Sequence, residues 1–167
     1  AIDVFPQFVR FPNTLEEVAA LESIEECWFA RHLLACFYYN KRSYNKAITL
    51  WQRCVEMSPE FADGWRGLAI HAWNKQHDYE LAARYLDNAY QLAPQDARLL
   101  FERDLLDKLS GATPEKRLAR LENNLEIALK RDDMTAELLN LWHLTGQADK
   151  AADILATRKF HPWEGGE

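Results

Sequence analysis

The feature that most constrains this chain is one pattern of small and large apolar residues that occurs twice between Leu34 and Pro94. Five positions of the pattern recur 35 residues later, with the same or a similar residue: Tyr44, Ala47, Trp51, Cys54 and Pro59 correspond to Tyr79, Ala82, Leu86, Ala89 and Pro94. The Leu-Ala pairs ahead of the two copies are only 34 positions apart, so one residue has been added in the turn of the second copy. A period near 34 that holds two helical patterns and ends on proline is typical of stacked helical hairpins.

This repeat resembles the tetratricopeptide repeat (TPR) family, in which small residues let paired helices approach closely and large residues fill the space between hairpins. The resemblance implies that the small positions are Ala35, Ala47, Cys54, Ala69, Ala82 and Ala89, and that the large ones are Leu34, Tyr38, Tyr44, Trp51, Trp65, Leu68, Tyr79 and Leu86. The chain departs from the family at Cys54, where alanine is usual, and at Ala72, where an aromatic residue is usual. Neither departure puts a charge into a packing position, so the assignment stands.

The predicted fold is all-α, a right-handed α-solenoid of about four TPR-like hairpins behind an N-terminal capping helix. We expect residues 1–26 to form an extended lead-in and the capping helix, residues 27–163 the solenoid, and residues 164–167 a truncated tail. The lead-in is too apolar for a free tail, with Val4, Phe5, Phe8, Val9 and Phe11. Asn13 or Thr14 is expected to cap the first helix, whose apolar stripe is Leu15, Val18 and Leu21.

Helices are predicted near residues 27–40, 44–57, 62–75 and 79–92, then over 97–109 and 114–130. The third hairpin is degenerate, because charged or amide side chains stand where the family carries packing residues: Arg103, Asp104, Asp107, Arg117 and Asn124. The register recovers in the fourth unit, where Leu138, Ala151 and Leu155 lie 104 positions after Leu34, Ala47 and Trp51. The expected total is about nine helices, one cap and four pairs.

Composition and charge exclude several functions. The net charge of −6 is not offset by any concentrated basic patch, which argues against nucleic-acid binding. No window approaches 18 uninterrupted apolar residues, so no membrane span is predicted. Cys27, Cys36 and Cys54 lack paired metal-ligand spacing, which indicates reduced thiols of a cytoplasmic protein without a zinc site. No cofactor is expected.

No catalytic constellation outweighs a structural interpretation of its residues. The histidines lack metal-ligand spacing: His32, His71, His77, His143 and His161. Glu102, Asp104 and Asp107 form a carboxylate cluster that could hold a cation or act as a base, although a solvated helix face is the commoner role for such residues. We therefore expect the chain not to be an enzyme.

The TPR resemblance implies that the first helix of each hairpin lines a concave groove. The expected groove residues are Phe29, His32, Cys36, Tyr39, Asp63, Arg66, Ile70, Trp73, Arg98 and Phe101. Their aromatic rings offer contact area and their arginines can pair with an acidic group. The alternative is that the lead-in or another domain of a parent chain covers them. The chaperone-binding branch grips a C-terminal carboxylate with lysines and asparagines, and His32, Cys36, Arg66 and Ile70 stand there instead, so that mode is not expected.

The strings Phe160–Glu167, Asp96–Leu100 and Arg131–Asp133 resemble a group of long bacterial TPR proteins whose N-terminal domain is carbohydrate-associated. The main expectation is a protein-protein interaction scaffold that binds a peptide or a neighbouring domain of its parent chain. The alternative is a segment of a larger carbohydrate-associated enzyme, in which Glu102, Asp104 or Trp163 would contribute. An apolar terminal helix after Ala151 leaves homodimerisation open.

Overall fold

The computed structural model describes residues 11–24 and 26–161, and these residues form helices without any strand. The helices are α1 Leu15–Glu22, α2 Trp28–Asn40, α3 Tyr44–Met57, α4 Ala62–His71, α5 Tyr79–Leu92, α6 Ala97–Leu109, α7 Pro114–Glu122, α8 Leu125–Ala128, α9 Asp132–Leu144 and α10 Ala148–Thr157. The chain divides into two compact units, Ala1–Leu92 and Ala93–Glu167. Most of the predicted lead-in, residues 1–10, lies outside the described residues, as do Pro162, Trp163 and the tail.

The first unit contains the two hairpins that the repeat predicts, α2 with α3 and α4 with α5. The six small positions are at most 1% exposed, as the TPR resemblance implies: Ala35, Ala47, Cys54, Ala69, Ala82 and Ala89. The large residues Leu34, Leu68 and Leu86 are also buried. Alternation of small and large side chains fills the space between helices at the density of a protein interior. This packing explains why the helices pair as the repeat predicts.

The two hairpins meet where the indole of Trp51 on α3 lies on the backbone of Gly67 on α4. A Cβ atom placed on Gly67 would lie 2.3 Å from Cε2 of Trp51, far inside van der Waals contact. A Cβ atom on Gly64, one turn earlier, would lie 2.8 Å from Cγ1 of Val55. Glycine at both positions therefore sets how closely α3 and α4 pack.

The additional residue of the second copy is taken up at the end of the helix. A π-helical turn, Ala72–Gln76, follows α4 directly. Both hairpins then leave their first helix through a left-handed residue two positions before the second helix, at Arg42 (φ 61°) and His77 (φ 55°). Because this exit is the same in both, the inserted residue lies in the widened helical turn, and not in the connection that the sequence suggested.

Helix α1 caps the first hairpin, as expected. Thr14 is the N-cap: its hydroxyl accepts from the backbone N–H of Glu17, whose carboxylate accepts from the N–H of Thr14 in return. Val18 is 5% exposed, but Leu15 is 78% exposed, so the predicted stripe is wrong at Leu15. Leu15 is the first residue of α1 and lies before the helical turn that carries the buried Val18.

A three-residue contact ties α1 to the first hairpin. Lys46 donates to the Glu22 carboxylate at 2.8 Å and to the Tyr38 hydroxyl at 2.6 Å, and that hydroxyl donates to Glu22. The same contact occurs in the second unit, where Lys150 (2.7 Å) and the Trp142 indole N–H (2.9 Å) donate to Glu122. Lys150 and Trp142 lie 104 positions after Lys46 and Tyr38, so this polar contact follows the repeat period.

The second unit departs from the prediction at its second helix. The expected helix over residues 114–130 is broken into α7 and α8, with the break at Asn123 and Asn124. The Asn124 side-chain amide donates to the carbonyl oxygen of Arg120 at 2.8 Å, and such side-chain bonding competes with the helical backbone. The described residues therefore form ten α-helices, in place of about nine. Thr113 and Pro114 start α7 as predicted.

The charged residues of the degenerate hairpin form a buried ion-pair network. Arg117 (5% exposed) donates through two nitrogens to Asp104 (2% exposed) and at 2.7 Å to Glu137. Arg103 pairs with Asp107 one turn away along α6, and Arg120 of α7 lies 3.1 Å from the second oxygen of Asp107. The interpretation of Asp104 and Asp107 as a solvated face is therefore wrong, because arginines from the next helix cover both.

The fourth hairpin recovers the repeat only in part. Leu138 and Ala151 are buried (0% and 8% exposed), as their register implies, whereas Leu155 is 59% exposed. Leu155 corresponds to Trp51, which α4 covers in the first unit. No helix after α10 is described, and homodimerisation through this face stays a prediction.

Gly67→Ala is expected to destabilise the protein by about 1–3 kcal/mol, because the new methyl group overlaps the Trp51 ring. The same change should cost less in a Trp51→Leu background, since leucine stands at the equivalent position of the second copy and leaves room. Urea unfolding of the four proteins of this double-mutant cycle measures both costs. Equal costs in the two backgrounds would contradict the contact.

Arg117→Met is expected to cost about 3–5 kcal/mol, because it leaves the Asp104 carboxylate buried without a partner. Adding Asp104→Leu should restore most of that loss, since the pair is then replaced by apolar side chains. Arg53→Met is the matched control: its exposed pair with Glu56 is expected to contribute less than about 1 kcal/mol. A double variant no more stable than Arg117→Met would show that the network does not act as described.

Candidate functional site

Aromatic rings gather where α2 begins. His32 is 8% exposed. Its ring stacks on Phe29 with 6.4 Å between the ring centroids, and it makes an edge-on contact with Phe61 at a centroid distance of 4.9 Å. Trp28 lies 4.6 Å from Phe61. Phe29 is partly exposed, as a contact residue should be, while His32 forms the support behind it.

Cys36, one turn after His32, faces the charged residues of α4. Its sulfur lies 3.6 Å from Nε2 of His32. Burial raises the pKa of the Cys36 thiol to about 11, with the Asp63 carboxylate raising it further and the Arg66 guanidinium opposing the shift. Charges exert such effects only at short range, so the structure brings Cys36, Asp63 and Arg66 together. We call the surface of Phe29, Cys36, Asp63, Arg66 and Ile70 the α2/α4 face.

Tyr39, like His32, packs against other rings of the first unit. The centroid of its ring lies 5.1 Å from that of Tyr44 and 5.3 Å from that of Trp51, and it packs against the buried cluster that the first hairpin forms with Leu68 of α4. Burial raises the pKa of the Tyr39 hydroxyl. Tyr39 therefore supports the fold as well as the surface. Trp73, in the π turn that follows α4, is partly exposed and lies three positions after Ile70, so we count it with the α2/α4 face.

Arg98 and Phe101 belong to the second unit. The Arg98 guanidinium lies 3.1 Å from the carboxylate of Asp96, the N-cap residue of α6. The Phe101 ring lies under the guanidinium of Arg131 at 5.3 Å, within cation–π distance. That all ten predicted residues share one groove stays a prediction.

A cavity beside α2 was missed at the sequence level. It has a volume of about 460 Å³ and is lined by Phe11, Pro12, Asn13, Cys36, Phe37, Asn40 and Lys41. Helical periodicity could suggest the residues of α2, because Cys36 and Asn40 are one turn apart. It could not show that the end of the lead-in lies against them, since Phe11 and Pro12 belong to no helix.

Within the part of the chain that the structure describes, the remaining candidate catalytic or metal-binding residues form no site of their own. Asp104 and Asp107 are engaged by arginines. No group of three His, Cys, Asp or Glu side chains suited to a metal ion occurs within residues 11–24 and 26–161. In this same part of the chain, no helix has both the length and the apolar content to cross a bilayer.

Alkylation of Cys36 by iodoacetamide is expected to accelerate about tenfold for each pH unit between pH 7 and pH 10. Only the thiolate reacts, and a pKa of about 11 keeps the thiolate fraction small but rising over this range. Cys54 is the internal control: it is 0% exposed, and burial raises its pKa to about 12, so it should stay unmodified. Mass spectrometry of the cysteine peptides measures both rates. A Cys36 rate that levels off near pH 9 would contradict the assigned environment.

Comparison with known proteins supports the architecture. No protein-family model matches the chain. A crystal structure of MamA superposes with a TM-score of 0.65 at 16% identity, over 84% of this chain and 81% of that one. The MamA RS-1 ArsTM double mutant gives 0.64 at 18% identity, over 84% and 80%. TTC0263, a thermophilic TPR protein of Thermus thermophilus, gives 0.56 at 22% identity, over 84% and 76%. At these identities the likeness concerns the fold, and the predicted class, an all-α fold of TPR-like hairpins, is confirmed.

Proposed function

We propose that this chain is a non-catalytic interaction module that binds a polypeptide segment of a partner, or of its own parent chain, on the α2/α4 face. The TPR-like fold supports this proposal, because stacked hairpins present side chains from their first helices on a shared surface. No turnover is needed for such a role.

The observation that carries the proposal is the juxtaposition of an aromatic wall and a charged pair. Phe29 and the ring of His32 behind it supply rigid apolar area on α2. Asp63 and Arg66 on α4 place two opposite charges next to Cys36. A rigid aromatic anchor beside fixed charges is the usual composition of an interface that binds one register of a peptide.

The thiols and carboxylates support a non-catalytic role. A Cys36 thiol with a pKa of about 11 is almost entirely protonated at neutral pH, which makes it a poor nucleophile. Asp104, a residue of the carbohydrate-enzyme alternative, is held by Arg117, and Trp163 lies outside the described residues. Among the described residues Cys27, Cys36 and Cys54 are all unbridged, which agrees with the cytoplasmic location that we propose.

Panning a phage-displayed library of random 12-residue peptides against the immobilised chain tests this function. We expect a wild-type pool with a shared consensus, and at least about tenfold weaker recovery of that pool on Trp73→Ala or Arg66→Glu, because truncating an interface anchor commonly costs ~1–2 kcal/mol. Tyr39→Ala is unsuitable, since Tyr39 packs against the buried cluster.

Leu92→Ala is the matched control, because it removes a 42% exposed apolar side chain from α5, a helix that contributes no residue to the α2/α4 face. Thermal melting followed by circular dichroism must show all variants folded. If no consensus emerges, or if recovery is equal on all folded variants, the assigned surface is wrong.

A further inference from the structure

The cavity beside α2 has the size and lining of a binding subsite. Its volume of about 460 Å³ falls in the ~300–1,000 Å³ range of ligand pockets. Two phenylalanines come from different segments: Phe11 precedes α1 and is 52% exposed, while Phe37 lies on α2. The side of α2 that carries Cys36 forms one wall, so the cavity adjoins the α2/α4 face. An exposed ring at its rim favours an apolar occupant.

Lys41 adds a positive charge at the rim. Its ammonium lies 5.6 Å from the centroid of the Phe37 ring, over the apolar wall. Among the described residues no carboxylate pairs with it, in contrast to Lys46 in the next helix, which is held by Glu22. The partial negative charge at the C-terminal end of α2 accounts for a lysine at this position. This helix-end charge explains the lysine, but it does not explain why a cavity lies next to it.

We propose that this cavity binds one large apolar side chain of a partner peptide, leucine or an aromatic residue, whose neighbouring aspartate or glutamate pairs with Lys41. The inference rests on the proposed function and specifies the chemistry of the segment that is bound. Phe11 and Phe37 exclude water from the apolar side chain, and the amides of Asn13 and Asn40 lie at the polar rim to meet the peptide backbone. An ion pair beside an apolar contact is partly desolvated, and is therefore stronger than an exposed one.

The consensus from the 12-residue library provides the first readout. Wild-type protein should enrich peptides with Asp or Glu within two positions of Leu, Phe, Trp or Tyr. Panning against Lys41→Glu should lose the acidic enrichment, because the carboxylate would then face a like charge. Lys159→Glu is the matched control, because it makes the same charge change at an exposed lysine that follows α10. This variant should keep the wild-type consensus.

Affinity supplies the second readout, measured by fluorescence anisotropy with one synthetic peptide of the wild-type consensus. We expect about tenfold weaker binding to Lys41→Glu, near-wild-type binding to Lys41→Arg, and a loss of at least tenfold for Asn40→Trp, whose ring fills the mouth of the cavity. Both positions are exposed, so the variants should fold. Raising NaCl from 50 to 500 mM should weaken binding to wild type more than to Lys41→Gln.

The outcomes separate the two proposals. No enrichment on wild type overturns both. A consensus that is lost on Trp73→Ala but unchanged on Lys41→Glu and Asn40→Trp keeps the proposed function and overturns the cavity assignment. Occupation of the cavity by residues 1–10 of the same chain would give that second pattern, and so would count against the inference.

Discussion

The close approach of α3 and α4 is the constraint on which the first unit depends. The Trp51 indole lies so close to the Gly67 backbone that a Cβ atom added to Gly67 would be 2.3 Å from Cε2 of the indole. Large side chains can be buried between hairpins only if the opposing helix offers backbone in place of side chain. Ala35, Ala47 and Cys54 play the same part within the first hairpin, where all three are 0% exposed. The spacing of helices, and with it the surface of α2 and α4, follows from these small residues.

The third hairpin solves the same packing problem with charge. Where small residues are expected, Arg117 instead reaches across to Asp104 and Glu137. Burying ions costs several kcal/mol of desolvation, which is offset only when each charge has a well-placed partner. Asp107 meets this requirement with arginines from two helices, Arg103 of α6 and Arg120 of α7. A hairpin held in this way depends on the placement of its charges as well as on buried apolar area.

The residue types of the candidate site were predictable from the sequence, but the packing of its side chains and the cavity beside it were not. Periodicity placed Phe29, Cys36, Asp63 and Arg66 on the first helices of neighbouring hairpins, and the structure brings Cys36, Asp63 and Arg66 together. The same argument treated Tyr39 as a surface residue, because it could not tell which neighbour its ring would meet; Trp51 and Tyr44 lie against it. The cavity at Lys41 depends on where Phe11 and Pro12 run, and no local pattern specifies the path of a segment outside the helices.

The sequence by itself determined the helices of the first unit and their pairing, because a 34-residue alternation of small and large residues can be buried in only one phase. It also determined that one residue had been inserted in the second copy. Only the tertiary structure decided that the insertion is taken up as a π turn after α4, that Asp104 and Asp107 of α6 are buried under arginines, and that a cavity opens beside α2. The last two features arise from contacts between separate elements of the chain, whose energies depend on distance and burial that a one-dimensional pattern does not contain.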